Sequence, residues 1–117
     1  VGSEMCIRDS AYTLHTADMI IHNITYCVDR SLAPVFLEWV RAVCIPRAEA
    51  AGLEVQALAR VMASADPSAD SYALQLLARG LSDVKRWTTC DEADLLADMT
   101  ARWGQRAVAF TTNLQVL

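Results

Sequence analysis

TCDEADLLADMTARWGQRAVAFTTNLQVL, residues 89–117, is the stretch whose reading decides the fold class. Thr89 and Glu92 have the spacing of a capping box, in which each side chain satisfies an orphan backbone N–H of the other at a helix start. Asp91, Glu92 and Asp94 then fall in the first turns, where the helix dipole favours negative charge. Beyond them Leu96, Met99, Trp103, Ala107, Phe110, Leu114 and Leu117 recur at steps of three and four, which draws one apolar stripe along a helix. Asp94, Asp98, Gln105 and Thr112 take the opposite side. The expected element is a single amphipathic helix about 40 Å long. Such a stripe needs a partner surface, so Leu96, Met99, Trp103, Phe110 and Leu114 are the candidate interface residues.

Working outward, Ser64-Ala65-Asp66-Pro67-Ser68 reads as a boundary, with Asp66 as N-cap and Pro67 as first helical residue. The next helix carries Leu74, Leu77, Leu81 and Val84 on one face, takes Lys85 and Arg86 into its last turn and ends near Trp87. The few residues left before Thr89 predict an antiparallel hairpin of this helix and the last one. Upstream, residues 47–63 place Ala51, Val55, Leu58 and Met62 on a helical face with Gly52 as a weak point. Residues 31–45 do the same with Phe36, Trp39, Val40 and Val43, and Pro46 forces a restart. In residues 11–30 the helical spacing of Ala17, Ile20, Ile24, Cys27 and Leu32 competes with strand-favouring Ile, Thr, Tyr and Val. Without a clean alternation it too reads as a helix. The expected fold is all-α: an amphipathic helical bundle or hairpin of about four to five helices.

With 117 residues the chain makes one domain at most. The hydrophobic share of 54% and mean hydropathy of +0.22 are high, yet charges interrupt every apolar run before the roughly 18 residues a membrane span needs. The excess apolar surface points to self-association or another interface. A net charge of −4 speaks against nucleic acid. Val1 to Ser10, VGSEMCIRDS, resembles an in-frame translation of a transposon-type sequencing adapter and is set aside from fold reasoning. Residues 11–117 are then the expected helical domain. Because Leu117 falls in mid-stripe, that domain reads as a fragment.

Several constellations resemble sites. Asp91-Glu92-Ala93-Asp94 spells the DEAD signature of nucleic-acid helicases, but no apolar strand precedes it and no phosphate loop accompanies it. Helix-start acids are the better reading. His15, Asp18 and His22 would share one side of a helix and could hold a transition metal, although surface or interface polarity is the plainer role. Asn23-Ile24-Thr25 fits a glycosylation sequon. Cys27, Cys44 and Cys90 lack any C-x-x-C pairing, which suits reduced cytosolic thiols. Cys90 at a helix start has no His near it in sequence to act as base. No nucleophile, base and oxyanion donor can be assembled, so a non-enzymatic protein without cofactor, catalytic residue or assigned metal ligand is expected.

From Leu81 on, a helix ending in Arg86-Trp87, the Thr88-Thr89-Cys90 turn, the acids, and then Leu95-Leu96, Met99, Arg102-Trp103 and Arg106-Ala107 resemble the C-terminal half of phasins. These small helical proteins coat polyhydroxyalkanoate granules in bacteria. The resemblance implies a cytoplasmic amphipathic coat that associates with a hydrophobic granule surface or with itself as a homo-oligomer. The alternative is a helical-bundle subunit or regulatory interaction module, with a metal at His15, Asp18 and His22.

Overall fold

The computed structural model describes residues 19–62 and 67–117. Period-two alternation dominates its first element. β1 (Ile20–Asp29) buries Ile20, His22, Ile24, Tyr26 and Val28 on one side and leaves Ile21, Asn23, Thr25 and Cys27 half-buried on the other. A helix follows without a break over residues 30–50, here α1. It opens with a 3-10 turn (Arg30–Leu32), where Pro34 needs no amide partner, and continues as Ala33–Trp39. It widens into a π turn (Val40–Cys44) and closes as Ile45–Ala50. The widening has a local cause: Pro46 offers no N–H and its ring crowds the preceding turn, so the Ile45 amide reaches back to the Val40 carbonyl instead. Gly52, at φ +88°, supplies the left-handed residue that lets the chain leave the helix.

β2 (Glu54–Arg60) and β3 (Ala69–Ala78) pair antiparallel, with a bulge between Val55 and Ala57. A second continuous helix, α2, spans residues 81–103 as Leu81–Arg86, a π turn at Trp87–Glu92, and Ala93–Trp103. Gly104, at φ 57° and ψ −134°, breaks it, and β4 (Ala107–Gln115) returns to the sheet. The sheet order is β2-β3-β1-β4 with every neighbouring pair antiparallel. Both helices cover the same sheet face. Phe36, Trp39, Val40 and Cys44 from α1 and Val84, Trp87, Leu95 and Met99 from α2 join Ile24, Tyr26, Val28, Leu74 and Leu76 from the sheet in one core. Each large side chain fully buried there stabilises the fold by about 1.5–3 kcal/mol. Phe36 is its aromatic centre, with ring centroids 5.0 Å from Tyr26 and 5.8 Å from Trp103. Among the described residues no helix is long and apolar enough to cross a membrane.

This α+β architecture overturns the all-α expectation, element by element. Ile20–Asp29 is a strand, because its backbone pairs with a neighbour on each side while alternate side chains enter the core. The helix expected over 47–63 ends at Ala50 and gives way to β2 beyond Gly52. The helix expected from Pro67 is the strand Ala69–Ala78 and turns helical only at Leu81. The last helix is real from Ala93 to Trp103, but Gly104 stops it and Ala107–Gln115 is a strand. No hairpin turn forms at Thr88-Thr89-Cys90, which lies inside α2. The Thr89–Glu92 capping box gives way to a different use of Glu92, whose carboxylate enters the core.

Candidate functional site

Two features stand out once the elements are in place. The first is a buried polar network. His22 is the second of the five helix-facing residues of β1 and is 1% exposed. Its Nε2–H donates to Glu92 Oε1 at 2.7 Å and its Nδ1–H donates to Asn113 Oδ1 at 2.6 Å. Asn113 is the residue opposite His22 on β4. The Trp87 indole N–H adds a bond to the same Glu92 oxygen at 3.3 Å. An oxygen beside each ring nitrogen favours the doubly protonated ring, an imidazolium facing the Glu92 carboxylate. Burial by itself lowers the His22 pKa, but the hydrogen bonds from Glu92 and Asn113 and the Glu92 charge outweigh it and raise the value above 6.5.

The π turn in α2 builds this arrangement. Positions five apart on an α-helix project about 140° from one another, whereas the wider turn Trp87–Glu92 brings both ends to the core side. Trp87 fills the core, and Glu92 reaches His22. The phenol of Tyr26 and the thiol of Cys44 lie in the same layer and stay neutral. Burial pushes the Tyr26 pKa upward, and burial with the Asp98 charge pushes Cys44 up to about 12.

The second feature is the sheet face that, among the described residues, no helix covers. Antiparallel pairing sets Ile21, Leu77 and Leu114 in one row, Thr25, Ala73 and Phe110 in another, and Cys27, Ser71 and Val108 in a third. Among the described residues the charges of this face lie at its ends, Glu54 and Arg79 at one and Asp29 paired with Arg106 at the other. The face measures about 30 by about 19 Å from strand rise and spacing. Phe110 is 61% exposed and Leu114 45%.

The proposed interface residues therefore part company. Met99 is buried in the core, Leu96 and Trp103 pack half-buried against it, and Phe110 and Leu114 stand on the open face. A single stripe does not exist, because the break at Gly104 turns β4 away from the helix axis. His15 and Asp18 lie outside the described residues, and His22 is committed to Glu92 and Asn113. The DEAD acids divide: Asp91 and Asp94 accept hydrogen bonds from Arg47 at 3.0 and 2.9 Å, and Glu92 turns inward. Asn23 of the sequon donates to Thr25 at 3.1 Å on the open face. Cys44 is buried, Cys27 half-buried and Cys90 exposed. Sequence reasoning missed Trp87, Glu92 and Asn113 as partners of His22. No local spacing signals that group, since its members come from three elements.

A family model described as a domain of unknown function, DUF4286, matches residues 19–117. No curated protein matches the chain in sequence. One similar solved structure is a dimeric ferredoxin-like protein from an uncultured marine organism, at 12% identity and TM-score 0.58, covering 85% of this chain and 95% of that one. Another is a candidate antibiotic biosynthesis monooxygenase from Bacillus cereus, at 14% identity and TM-score 0.48, covering 84% and 92%. The fold is thus ferredoxin-like. The family match and the four-stranded sheet overturn the resemblance to phasins and with it the granule-coat function, since a phasin hairpin has no place for β1, β3 or β4.

Proposed function

The chain belongs to the DUF4286 family of domains of unknown function, and on its own surface chemistry we propose that it is a self-associating, non-catalytic module that meets another copy through its uncovered sheet. The carrying observation is the open face, which holds exposed Phe110 and Leu114 and keeps its charges at the ends. Two copies that each carry a net −4 approach most cheaply through an uncharged surface. At roughly 600 Å² in projection the face is near the lower end of what a specific interface needs per partner. That the dimeric ferredoxin-like protein shares this fold agrees with the reading.

The non-catalytic part of the proposal rests on His22. A general base needs a free ring nitrogen within reach of substrate, and here both nitrogens are engaged beneath the helices. A cytoplasmic setting goes with the reading, and the free thiols Cys27, Cys44 and Cys90 suit it. Size-exclusion chromatography with light scattering tests the association. The protein is expected at a multiple of its 12.8 kDa mass, and Phe110→Asp should lower that multiple. A strict monomer at high concentration ends the reading. Rapid modification of His22 by diethyl pyrocarbonate in the folded protein would end its non-catalytic part.

A further inference from the structure

The two edges of the sheet are treated very differently. β2 carries Glu54 at one end and Arg60 at the other and is kinked by its bulge. These are ordinary devices that stop an edge from pairing with another chain. β4, the opposite edge, reads AVAFTTNLQ from Ala107 to Gln115, without a charge, a proline or a bulge. Six consecutive residues, Phe110 to Gln115, are exposed, so the end of the strand is open on both faces as well as along its free edge. A long, flat, uncharged edge that no described strand covers is a template for another strand.

We infer that the free edge of β4 pairs antiparallel with β4 of a second copy, continuing the sheet across a two-fold axis at Thr111. The inference rests on the self-association proposed above and adds a contact distinct from the open face. A second copy fits for three reasons. Full overlap of the strand with itself centres on Thr111 and sets Val108 against Leu114, so open face continues into open face. No charge meets a like charge along the strand, which a net −4 chain requires of a self-contact.

The third reason is a knob and a hole. An apolar pocket of about 320 Å³ lies beside the start of β4, lined by Leu96, Met99, Thr100, Gly104, Ala107 and Ala109 among others. The pairing sets Leu117 of the second copy opposite Gln105, which lines this pocket. The same axis places the first copy's Leu117 at the other pocket. Such reciprocal contact is what an isologous dimer demands.

Engineered cysteines test the pairing. Across the axis Thr111 faces its own counterpart at about 4.5–5.5 Å between Cα atoms, within disulfide reach. Leu114 lies about 20 Å from its counterpart at about 3.3 Å per residue. Thr111→Cys treated with oxidised glutathione should therefore give at least tenfold more covalent dimer than Leu114→Cys or the parent protein, whose own thiols set the background. Linkage through Leu114→Cys and not Thr111→Cys reports contact through the open face alone and overturns the edge pairing. An oligomer by light scattering with no link at Thr111 overturns it too, while leaving the proposed function intact. A monomer by light scattering overturns both.

Discussion

His22→Leu should destabilise the fold by about 3–5 kcal/mol, the cost of stranding one member of a buried ion pair. In the parent, Glu92 faces the imidazolium at 2.7 Å and the Trp87 indole at 3.3 Å. The substitution leaves the indole alone to satisfy a carboxylate that is 6% exposed. Asn113 adds little to the loss, because its amide is exposed and can bond water. Urea unfolding followed by circular dichroism measures the difference. The pH dependence is a sharper check. The folded His22 pKa lies above its ordinary 6.5, so below that value folded and unfolded chains both hold the proton and the pair contributes fully. Between it and the folded pKa only the folded chain keeps the proton, and stability falls by up to about 1.4 kcal/mol per pH unit. Above the folded pKa the contribution is gone. The double variant His22→Gln, Glu92→Gln removes the His22 titration while retaining hydrogen-bonding groups, so subtracting its curve isolates the pair. Tyr26 and Cys44 remain neutral through this window and cancel. A difference that stays flat from about pH 6 to about pH 9, or a His22→Leu cost under about 1 kcal/mol, would refute the imidazolium–carboxylate assignment.

Gly104→Ala should cost about 1–3 kcal/mol from backbone strain alone, because a methyl group there meets nothing within 4 Å and the residue sits at φ +57°; chemical denaturation measures it. Trp103→Ala should cost about 2–3 kcal/mol, below the roughly 3–5 of a fully buried tryptophan, since the ring is half-buried against Phe36 and Trp39. Loss of near-ultraviolet dichroism should accompany it. In the folded protein at neutral pH a thiol reagent should label Cys90 quickly and Cys44 only on unfolding, because Cys44 is buried with its pKa pushed up to about 12. Mass spectrometry of the labelled peptides decides the order.

The misreading of the strands as helices has a physical origin. Positions four apart share a face on a helix and also on a strand, so Phe110 and Leu114 satisfy both patterns. In β2 the bulge at Gln56 brings Val55 and Leu58, three apart, to one side, which imitates a helix turn. β3 hid its alternation because its open side is apolar as well: Leu76 faces the helices and Leu77 faces out. β1 carried the right residue types, but a buried histidine on its apolar side spoiled the pattern, and its partner Glu92 arrives from a distant element. What was legible was local: the helix from Ala93 to Trp103 and the weak point at Gly52, whereas the helix drawn through Gly104 missed the break there. The His22 network was not legible, since it depends on the π turn and on pairing between strands remote in the chain.

The placement of β1 at the middle of the sheet has a consequence during synthesis. One side of β1 must wait for β3, and the other for β4, whose Asn113 reaches His22 across 91 positions of sequence. On a ribosome adding about 5–20 residues per second, the nascent chain therefore carries β1 for several seconds before its last neighbour emerges. During that interval an uncapped histidine and a bare hydrogen-bonding edge, rich in Ile, Thr and Val, face the crowded exit of the tunnel. The closing of β4 over β1 is then the step that gives that edge its partner and His22 its Asn113 contact.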